Sequence, residues 1–169
     1  MSNSFVPDFV PDVPGSRSIA ARALVCASLA AGKNIVFNAP SCDDTDAITA
    51  CVQNLAADAQ ISGKKTELTS WTALTPRSVL DCNASGTTMR FISALSILTD
   101  KDMVLTGTAR LLERPMAGLN DVLQALGKTV VDSDGLRTIS GVPNITDELT
   151  VDASTSGQFV SGLMMALGA

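Results

Sequence analysis

The 169-residue sequence contains no histidine and no tyrosine, and its aromatic residues are five phenylalanines and one tryptophan. Without histidine there is no serine–histidine pair, and the four cysteines form no C-x-x-C pair that would suggest a metal site. No G-x-S-x-G and no P-loop G-x-x-x-x-G-K-[ST] occurs either. Because aromatic residues are so few, we expect a core built from Ala, Leu, Val, Ile and Met.

An excess of basic charge and a long hydrophobic run are also missing. The net charge is −5, which argues against general binding to nucleic acid or to an anionic membrane. The apolar run at residues 23–31 is far too short to span a membrane. The opening residues have no basic start and are interrupted by prolines, unlike a secretory signal. We therefore expect a cytoplasmic protein whose partners are small molecules.

What the sequence does contain is an internal repeat. Its spacing predicts three buried helices, at residues 18–31, 86–98 and 154–167, with Gly32 placed to end the first. Each helix has a single long polar side chain, which is Arg22, Arg90 or Gln158, and successive members are 68 residues apart. The strand-forming residues 35–37 recur at 103–105, and an amphipathic helix at 48–57 recurs at 116–125. This register predicts that the three polar residues occupy equivalent positions.

The same register predicts an α/β fold made of βαβαββ-type units. Unit one covers about residues 14–82, unit two about 83–150, and residues 151–169 begin unit three, all within one incomplete domain. The predicted strands are 34–38, 66–71 and 77–81 in unit one, and 102–106, 128–131 and 136–140 in unit two. Residues 148–152 lead into the third helix.

Residues 164–169 are apolar, and a repeat unit needs neighbours to bury its apolar face. We therefore expect the natural protein to continue beyond Ala169. The alternative is a complete short protein whose last helix caps the other two.

Arg22 and Arg90 are predicted near the starts of their helices, where the helix dipole is already positive. Turns rich in glycine and hydroxyl groups precede both helices, at residues 14–18 and 85–88. An anion held by free backbone N–H groups and a guanidinium group would explain this placement. The alternative, pairing with acidic residues, would suit one such arginine better than two at the same repeat position.

Five segments resemble motifs of the 3-phosphoshikimate 1-carboxyvinyltransferase (EPSP synthase) family. P-G-S-R-S-I-A-A-R-A-L at 14–24 is similar to P-G-S-K-S-x-S-N-R-A-L, and D-D-T at 43–45 to S-D-D-T. N-A-S-G-T-T-M-R at 83–90 resembles G-N-S-G-T-T-M-R. L-T-G-T-A-R at 105–110 with E-R-P at 113–115 resembles L-T-G-x-x-R-x-x-E-R-P, and residues 151–159 resemble V-D-x-S-x-S-S-Q-F.

The resemblance implies an inside-out α/β barrel enzyme whose two domains, each of three units, close over the substrates. It implies transfer of the enolpyruvyl group of phosphoenolpyruvate to the 5-hydroxyl of shikimate 3-phosphate, with release of phosphate. This reaction belongs to the shikimate pathway of aromatic amino acid biosynthesis, and no metal or organic cofactor is implied.

The resemblance also implies residue roles on the shikimate 3-phosphate side. Ser18, Arg22, Ser156 and Gln158 would hold this substrate. Gly157, in the same loop, stands where the family has a hydroxyl near the 3-phosphate.

On the phosphoenolpyruvate side, Gly86 and Arg114 would hold the substrate, with Gln158 near both ligands. Arg17 stands where the family has a lysine that touches both substrates. Thr87 and Arg90 match the motif and are expected to shape this loop.

Departures from the motifs count against efficient catalysis. An arginine at position 17 cannot readily release a proton, and Ala20, Ala21, Ala84 and Gly157 each replace a hydrogen-bonding side chain. The family's acid–base groups and several basic residues would lie in a C-terminal half that this sequence does not include. We therefore expect no catalytic residue here and an inactive isolated chain, which a C-terminal half or a second copy would complete.

Two alternatives stay open. One is the sister transferase that acts on UDP-N-acetylglucosamine, whose reactive cysteine would fall at Ala109. The other is a degenerate, non-catalytic binder of a phosphorylated ligand.

Overall fold

The computed structural model describes residues 15–55, 58–62, 65–69, 74–146 and 148–169. The helices and strands follow one another along the chain. They are α1 Arg17–Leu29, β1 Lys33–Phe37, α2 Asp43–Asn54, β2 Asp58–Ser62, β3 Lys65–Thr69, β4 Leu80–Asp81, α3 Gly86–Leu95, β5 Met103–Thr106, α4 Ala109–Leu112, α5 Ala117–Ala125, β6 Thr129–Ser133, β7 Leu136–Ser140 and α6 Gly157–Leu167. A 3-10 turn, Ser96–Leu98, extends α3.

Serine side chains start the three predicted buried helices. Ser16 and Ser85 accept hydrogen bonds from the backbone N–H three residues ahead, and Ser156 accepts one from Gln158. Such caps satisfy one of the N–H groups that the first helical turn leaves free. The three helices therefore begin at defined residues, and their remaining N–H groups point outward from the same kind of turn.

The strands form two sheets with the same internal order. The first sheet is β1-β3-β2 and the second is β4-β5-β7-β6, so β5-β7-β6 repeats β1-β3-β2. In both sheets the corresponding pairs are antiparallel, and β4 adds to β5 in parallel. The predicted α/β fold with repeated units is confirmed by this topology.

One hydrophobic core serves both sheets and their helices. It contains fully buried residues from unit one, such as Leu24, Ile48 and Leu68, and others from unit two, such as Leu105 and Ile139. Helix α3 lies at its centre and packs on α1, α2 and α6. The units are thus joined by shared apolar packing.

Strand β7 falls on the predicted residues 136–140, and β5 and β6 agree to within two residues. Strand β2 and helix α4 were not predicted, and only residues 80–81 of the predicted strand 77–81 pair. The sequence D-A-Q-I-S of β2 has few β-formers, and the single turn of α4 is too short for a periodic signal.

Two helix starts were also predicted wrongly. Helix α2 begins at Asp43, five residues before the prediction, because three aspartates in its first turn favour a helix N-terminus. Helix α6 begins at Gly157 and not at Ser154, because the Ser154 N–H is bonded to the Asp152 carboxylate at 2.8 Å.

Parts of the predicted elements, Pro14, Ala56, Ala57, Ser70 and Trp71, lie outside the described residues. Of the helices that the structure describes, none has the length and hydrophobicity to cross a membrane.

Candidate anion-binding site

The N-terminal ends of α1, α3 and α6 lie side by side. Their second residues are Ser18, Thr87 and Gln158. The Gln158 side-chain N–H donates to the Thr87 hydroxyl at 2.9 Å, and Ser18 and Thr87 line one pocket of about 170 Å³. Three helix N-termini therefore face a common region, and each contributes free N–H groups and the positive end of its dipole. This arrangement favours a bound anion.

Two guanidinium groups close over the first residue of α3. A Cβ atom at Gly86 would lie 2.6 Å from Arg114 Nη1 and 3.0 Å from Arg90 Nη1. Only glycine leaves room for both groups at this helix N-terminus. Burial lowers the pKa of Arg90, and the charge of Arg114 lowers it further. The two cations thus repel each other, and an anion between them would relieve the repulsion.

The partners of Arg90 in the described residues are neutral. Its Nη1 donates to Gln158 Oε1 at 2.7 Å, and its guanidinium carbon lies 5.6 Å from the Phe159 ring centroid. Its Nε is buried without a hydrogen-bond partner in the described part of the chain. Because no carboxylate is bonded to it there, Arg90 keeps its charge available to a carboxylate or phosphate group.

Arg22 has the same kind of surroundings. Its Nη1 donates to the Ser18 backbone oxygen at 2.9 Å and its Nη2 to the Ser161 hydroxyl at 3.1 Å. Its guanidinium carbon lies 5.1 Å from the Phe91 ring centroid. Within the described ranges, neither Arg22 nor Arg114 forms an ion pair with a carboxylate. The alternative of pairing with acidic residues, raised for Arg22 and Arg90, therefore finds no support in the described part of the chain.

Arg17, in contrast, is paired with an acid. Its Nη1 lies 3.3 Å from Asp44 Oδ2, and the two side chains line the same pocket as Ser18 and Thr87. The Arg17 side chain is 68% exposed, so this pair is open to solvent. Asp44 lies in the D-D-T motif, but no feature of that motif predicts a position beside Arg17.

Ser156 and Gly157 stand at the start of α6. The Ser156 hydroxyl caps the helix by accepting from Gln158 N at 3.3 Å. Gly157 is exposed, and apart from its chain neighbours and the backbone of its own helix, no heavy atom of the described residues lies within 4 Å of the position its Cβ would occupy. Among the residues that the structure describes, no side chain from elsewhere in the fold fills the space in which the family's hydroxyl is expected.

The predicted equivalence of Arg22, Arg90 and Gln158 stays a prediction, although the helices that carry them begin at different distances from these residues. The stack of Arg22 on Phe91 recurs 68 residues later in the sequence as the stack of Arg90 on Phe159. Counted from the helix starts, however, Gln158 is the second residue of α6, whereas Arg22 and Arg90 are the sixth of α1 and the fifth of α3. The late start of α6 explains the difference.

Phe91, Phe159, Ser161 and Asp44 were not predicted as site residues. The sequence does contain a signal for the two phenylalanines. Phe91 directly follows Arg90 and Phe159 directly follows Gln158, 68 residues later, in a chain with few aromatic residues.

In the part of the chain that the structure describes, no group of three or more cysteine or acidic side chains could hold a metal ion.

Comparison with solved structures gives the class of protein. The chain is similar to EPSP synthase from Acinetobacter baumannii, with a TM-score of 0.78 and 24% identity over 91% of this chain and 36% of that chain. It is also similar to the enolpyruvyl transferase NikO from Streptomyces tendae, with a TM-score of 0.57 and 14% identity over 88% of this chain and 35% of that one. The fold is therefore that of the enolpyruvyl transferases.

Sequence comparison gives the family. The profile of EPSP synthase (3-phosphoshikimate 1-carboxyvinyltransferase) matches residues 10–169. The chain is 33% identical over 160 residues to the 3-phosphoshikimate 1-carboxyvinyltransferase of Mycobacterium ulcerans, covering 91% of this chain and 37% of the relative. The corresponding protein of Pectobacterium carotovorum is 34% identical over 165 residues, covering 91% and 38%. The chain belongs to the EPSP synthase family and spans little more than a third of the length of these relatives.

Proposed function

We propose that this chain supplies one side of a site for enolpyruvyl transfer from phosphoenolpyruvate to the 5-hydroxyl of shikimate 3-phosphate, with release of phosphate. Family membership supports this reaction over that of the sister transferase. The observation that carries the proposal is the pair of guanidinium groups, Arg90 and Arg114, above Gly86 at the start of α3. Two cations beside free backbone N–H groups suit the carboxylate and phosphate of phosphoenolpyruvate.

Shikimate 3-phosphate is proposed to bind across the starts of α1 and α6. Arg22 would pair with its phosphate, and Ser18, Ser156 and Gln158 would hydrogen-bond to its polar groups. Gly157 would lie beside the same phosphate. The pocket that Ser18 and Thr87 line joins the starts of α1 and α3, and the hydrogen bond from Gln158 to Thr87 brings the start of α6 beside it, which supports a ligand at these helix starts.

Phosphoenolpyruvate is proposed to bind at α3, with Gly86 and Arg114 in contact with it. Thr87 and Arg90 would shape this side of the site, since both are fixed by Gln158. Arg17 lies where both ligands would meet, and its ion pair with Asp44 would have to loosen when they bind.

We propose that a polypeptide of these 169 residues alone binds the substrates but does not convert them to product. Proton transfer needs groups within hydrogen-bonding reach of the reacting atoms, and the resemblance places those groups outside this sequence. The chain covers 37% of the length of the Mycobacterium ulcerans relative, which supports the need for a further segment or a second copy.

The unit boundaries near residues 82 and 150 and the cytoplasmic location stay predictions.

Calorimetric titration and a phosphate-release assay test this proposal. We expect shikimate 3-phosphate to bind with a Kd of about 1 mM, because a few charge-assisted hydrogen bonds act without domain closure. Arg22→Gln should weaken this binding at least about tenfold, whereas the charge-matched control Arg77→Gln should not. Phosphate release should not exceed background. Turnover at a rate typical of enzymes would contradict the claim that this chain alone is inactive.

The second candidate function is a non-catalytic binder of a phosphorylated ligand. The Arg17–Asp44 pair favours it, because a paired arginine stands where the family has a lysine. Sub-micromolar binding of shikimate 3-phosphate without turnover would support this second function over the first.

A further inference from the structure

Two arginine–phenylalanine stacks connect the three buried helices. The Arg22 guanidinium on α1 lies over the Phe91 ring on α3, with 5.1 Å between the guanidinium carbon and the ring centroid. The Arg90 guanidinium on α3 lies over the Phe159 ring on α6 at 5.6 Å. Each stack joins a helix of one unit to the helix of the next. The interaction is therefore repeated along with the fold.

The two rings are held firmly in the core. Phe91 and Phe159 are both fully buried. Glycines let neighbouring helices approach them, since a Cβ at Gly118 would lie 3.3 Å from two Phe159 ring carbons and one at Gly162 would lie 3.4 Å from Phe91. A ring packed this closely has little freedom to tilt. Each ring is thus a rigid support for the guanidinium above it.

Neutral groups of α6 hold the guanidinium groups from the side. Ser161 accepts from Arg22 at 3.1 Å, and Gln158 accepts from Arg90 at 2.7 Å. A carboxylate in either place would fix the arginine equally well but would neutralise it before any anion arrived. A ring face and a neutral oxygen instead fix the direction of the side chain and leave its charge unpaired.

We propose that Phe91, Phe159 and Ser161 are positioning residues that hold Arg22 and Arg90 toward the anion site without neutralising them. This inference rests on the proposed function for the identity of the ligand. The rings act through the arginines, because they are buried beneath them and do not reach the pocket formed by Ser18 and Thr87.

The geometry is tested without any ligand, by NMR of the arginine side-chain Nε–Hε groups. Protons above an aromatic ring are shifted by its ring current, so Phe91→Leu should move the Arg22 signal and Phe159→Leu the Arg90 signal. The control Phe37→Leu removes an exposed phenylalanine of β1 and should move neither signal. Unchanged arginine signals in both core variants would overturn the proposal.

The functional consequence is tested by titrating the same variants with shikimate 3-phosphate and with inorganic phosphate. We expect Phe91→Leu, which acts on Arg22, to weaken binding of shikimate 3-phosphate about threefold to tenfold, as loss of a cation–π contact predicts. Phe159→Leu acts on Arg90, on the phosphoenolpyruvate side, and should weaken binding of inorganic phosphate by a similar factor. Phe37→Leu should bind like the wild type. Urea unfolding checks that each variant is folded during the titration. Ser161→Ala, which changes only a half-buried hydroxyl, should weaken binding about threefold without any core change.

The outcomes separate the two proposals. If the wild type binds shikimate 3-phosphate and all three positioning variants bind equally well, the positioning role fails while the proposed function stands. If the wild type binds inorganic phosphate but not shikimate 3-phosphate, the proposed function fails and phosphate affinities decide the positioning role. If the wild type binds neither probe, both proposals fail.

Discussion

Among single residues, the arginines of this protein fall into two groups according to their partners. Arg137 is buried and bonded to the Asp132 carboxylate at 2.8 Å and to Asn120 at 2.7 Å, as expected of a structural cation. Arg22 and Arg90 are held by rings and neutral oxygens instead. Partial burial without a counter-charge is unfavourable in the absence of a ligand. The unpaired arginines are therefore positions at which a bound anion would stabilise the protein.

Gly86→Ala tests the close approach of the two guanidinium groups to α3. The new Cβ would meet the far ends of Arg114 and Arg90, which are flexible, at 2.6 and 3.0 Å. Because those groups can move aside and alanine favours a helix, we expect the free energy of unfolding to change by less than about 1 kcal/mol. The displaced cations should weaken phosphoenolpyruvate binding about tenfold. Urea unfolding and calorimetry measure the two effects.

Gly118→Ala is the contrasting variant. Its Cβ would lie 2.6 Å from the Asp152 backbone oxygen, which cannot move aside easily. We expect it to lower the free energy of unfolding by about 1–3 kcal/mol. If Gly86→Ala were the more destabilising of the two, the flexible-arginine explanation would be wrong.

Gly157→Ser restores the hydroxyl that the family motif has at the start of α6. Apart from its chain neighbours and its own helix backbone, no heavy atom of the described residues lies within 4 Å of the Cβ position, so the side chain fits without a clash there. One added hydrogen bond to a charged phosphate should strengthen shikimate 3-phosphate binding by about threefold to tenfold in calorimetry. Gly157→Ala, which adds the Cβ without the hydroxyl, should leave the affinity unchanged. Equal gains in both variants would point to helix stabilisation instead.

Motifs and spacing in the sequence identify most of the candidate site. The repeat spacing and the helix start pick out Arg22, whereas Gly86 and Arg114 are picked out by resemblance to the family motifs. They do not reveal that Arg22 lies on Phe91, because the packing angle of two helices decides which side chains meet. Nor do they reveal the Arg17–Asp44 contact, which joins residues on different helices.

Among the elements of units one and two, the helix starts and the hairpins keep different repeat spacings. The N-caps Ser16 and Ser85 are 69 residues apart, whereas the hairpin strands β2 and β6 begin 71 residues apart, at Asp58 and Thr129. Between these points unit two has the additional short helix α4. Loops absorb insertions without disturbing the packed elements around them. A single offset of 68 residues applied to the whole sequence therefore fits the starts of α1 and α3 to within one residue but is three residues short at the hairpins.

An ion triad on β1 and β3 gives the first sheet a pH-dependent stability. Lys33 lies opposite Thr69, and its Nζ is 2.5 Å from the Glu67 carboxylate, which also pairs with Lys65. Hydrogen bonds from Lys33 and then Lys65 lower the pKa of Glu67 from 4.5 to about 2. The Glu67 carboxylate thus binds a proton less tightly in the folded state than in the unfolded state. The stabilisation is present above pH 4.5 and is lost as the pH falls toward 2.

Glu67→Gln should remove this dependence. We expect the variant to be less stable than the wild type at pH 7, with the difference shrinking as the pH falls from 4.5 toward 2. Urea unfolding at several pH values measures it, with the exposed Glu148→Gln as the control that should follow the wild type. A difference between wild type and Glu67→Gln that does not depend on pH would contradict the ion-triad explanation.

For the molecule as a whole, the repeat predicts the fold better than any single element does. The offset places a helix before a strand twice, and the structure repeats the sheet order β1-β3-β2 as β5-β7-β6. The sequence could not predict how the units join, because buried apolar residues specify that they pack but not against which neighbour. The structure joins them through α3, which contacts α1, α2 and α6.

This joining predicts that the two units unfold together. Leu68 on β3 and Leu105 on β5 are both fully buried and belong to one continuous hydrophobic core. Leu68→Ala or Leu105→Ala should each lower the free energy of unfolding by about 2–5 kcal/mol, because each leaves a cavity. Since the core is shared, the loss in one unit should reach the other. Each variant should show a single urea transition.

Amide hydrogen exchange measured on each strand gives the decisive readout. In Leu68→Ala the amides of β7, on the other sheet, should exchange faster than in the wild type, and in Leu105→Ala those of β3 should do so. Val142→Ala, at a side chain that is 72% exposed, should change neither sheet. If a leucine variant is too unstable to study, Ile139→Val offers a smaller loss of about 0.5–1.5 kcal/mol in the same core. Faster exchange confined to the mutated sheet, or two separate urea transitions, would mean that each unit is stabilised by its own packing and that α3 does not couple them.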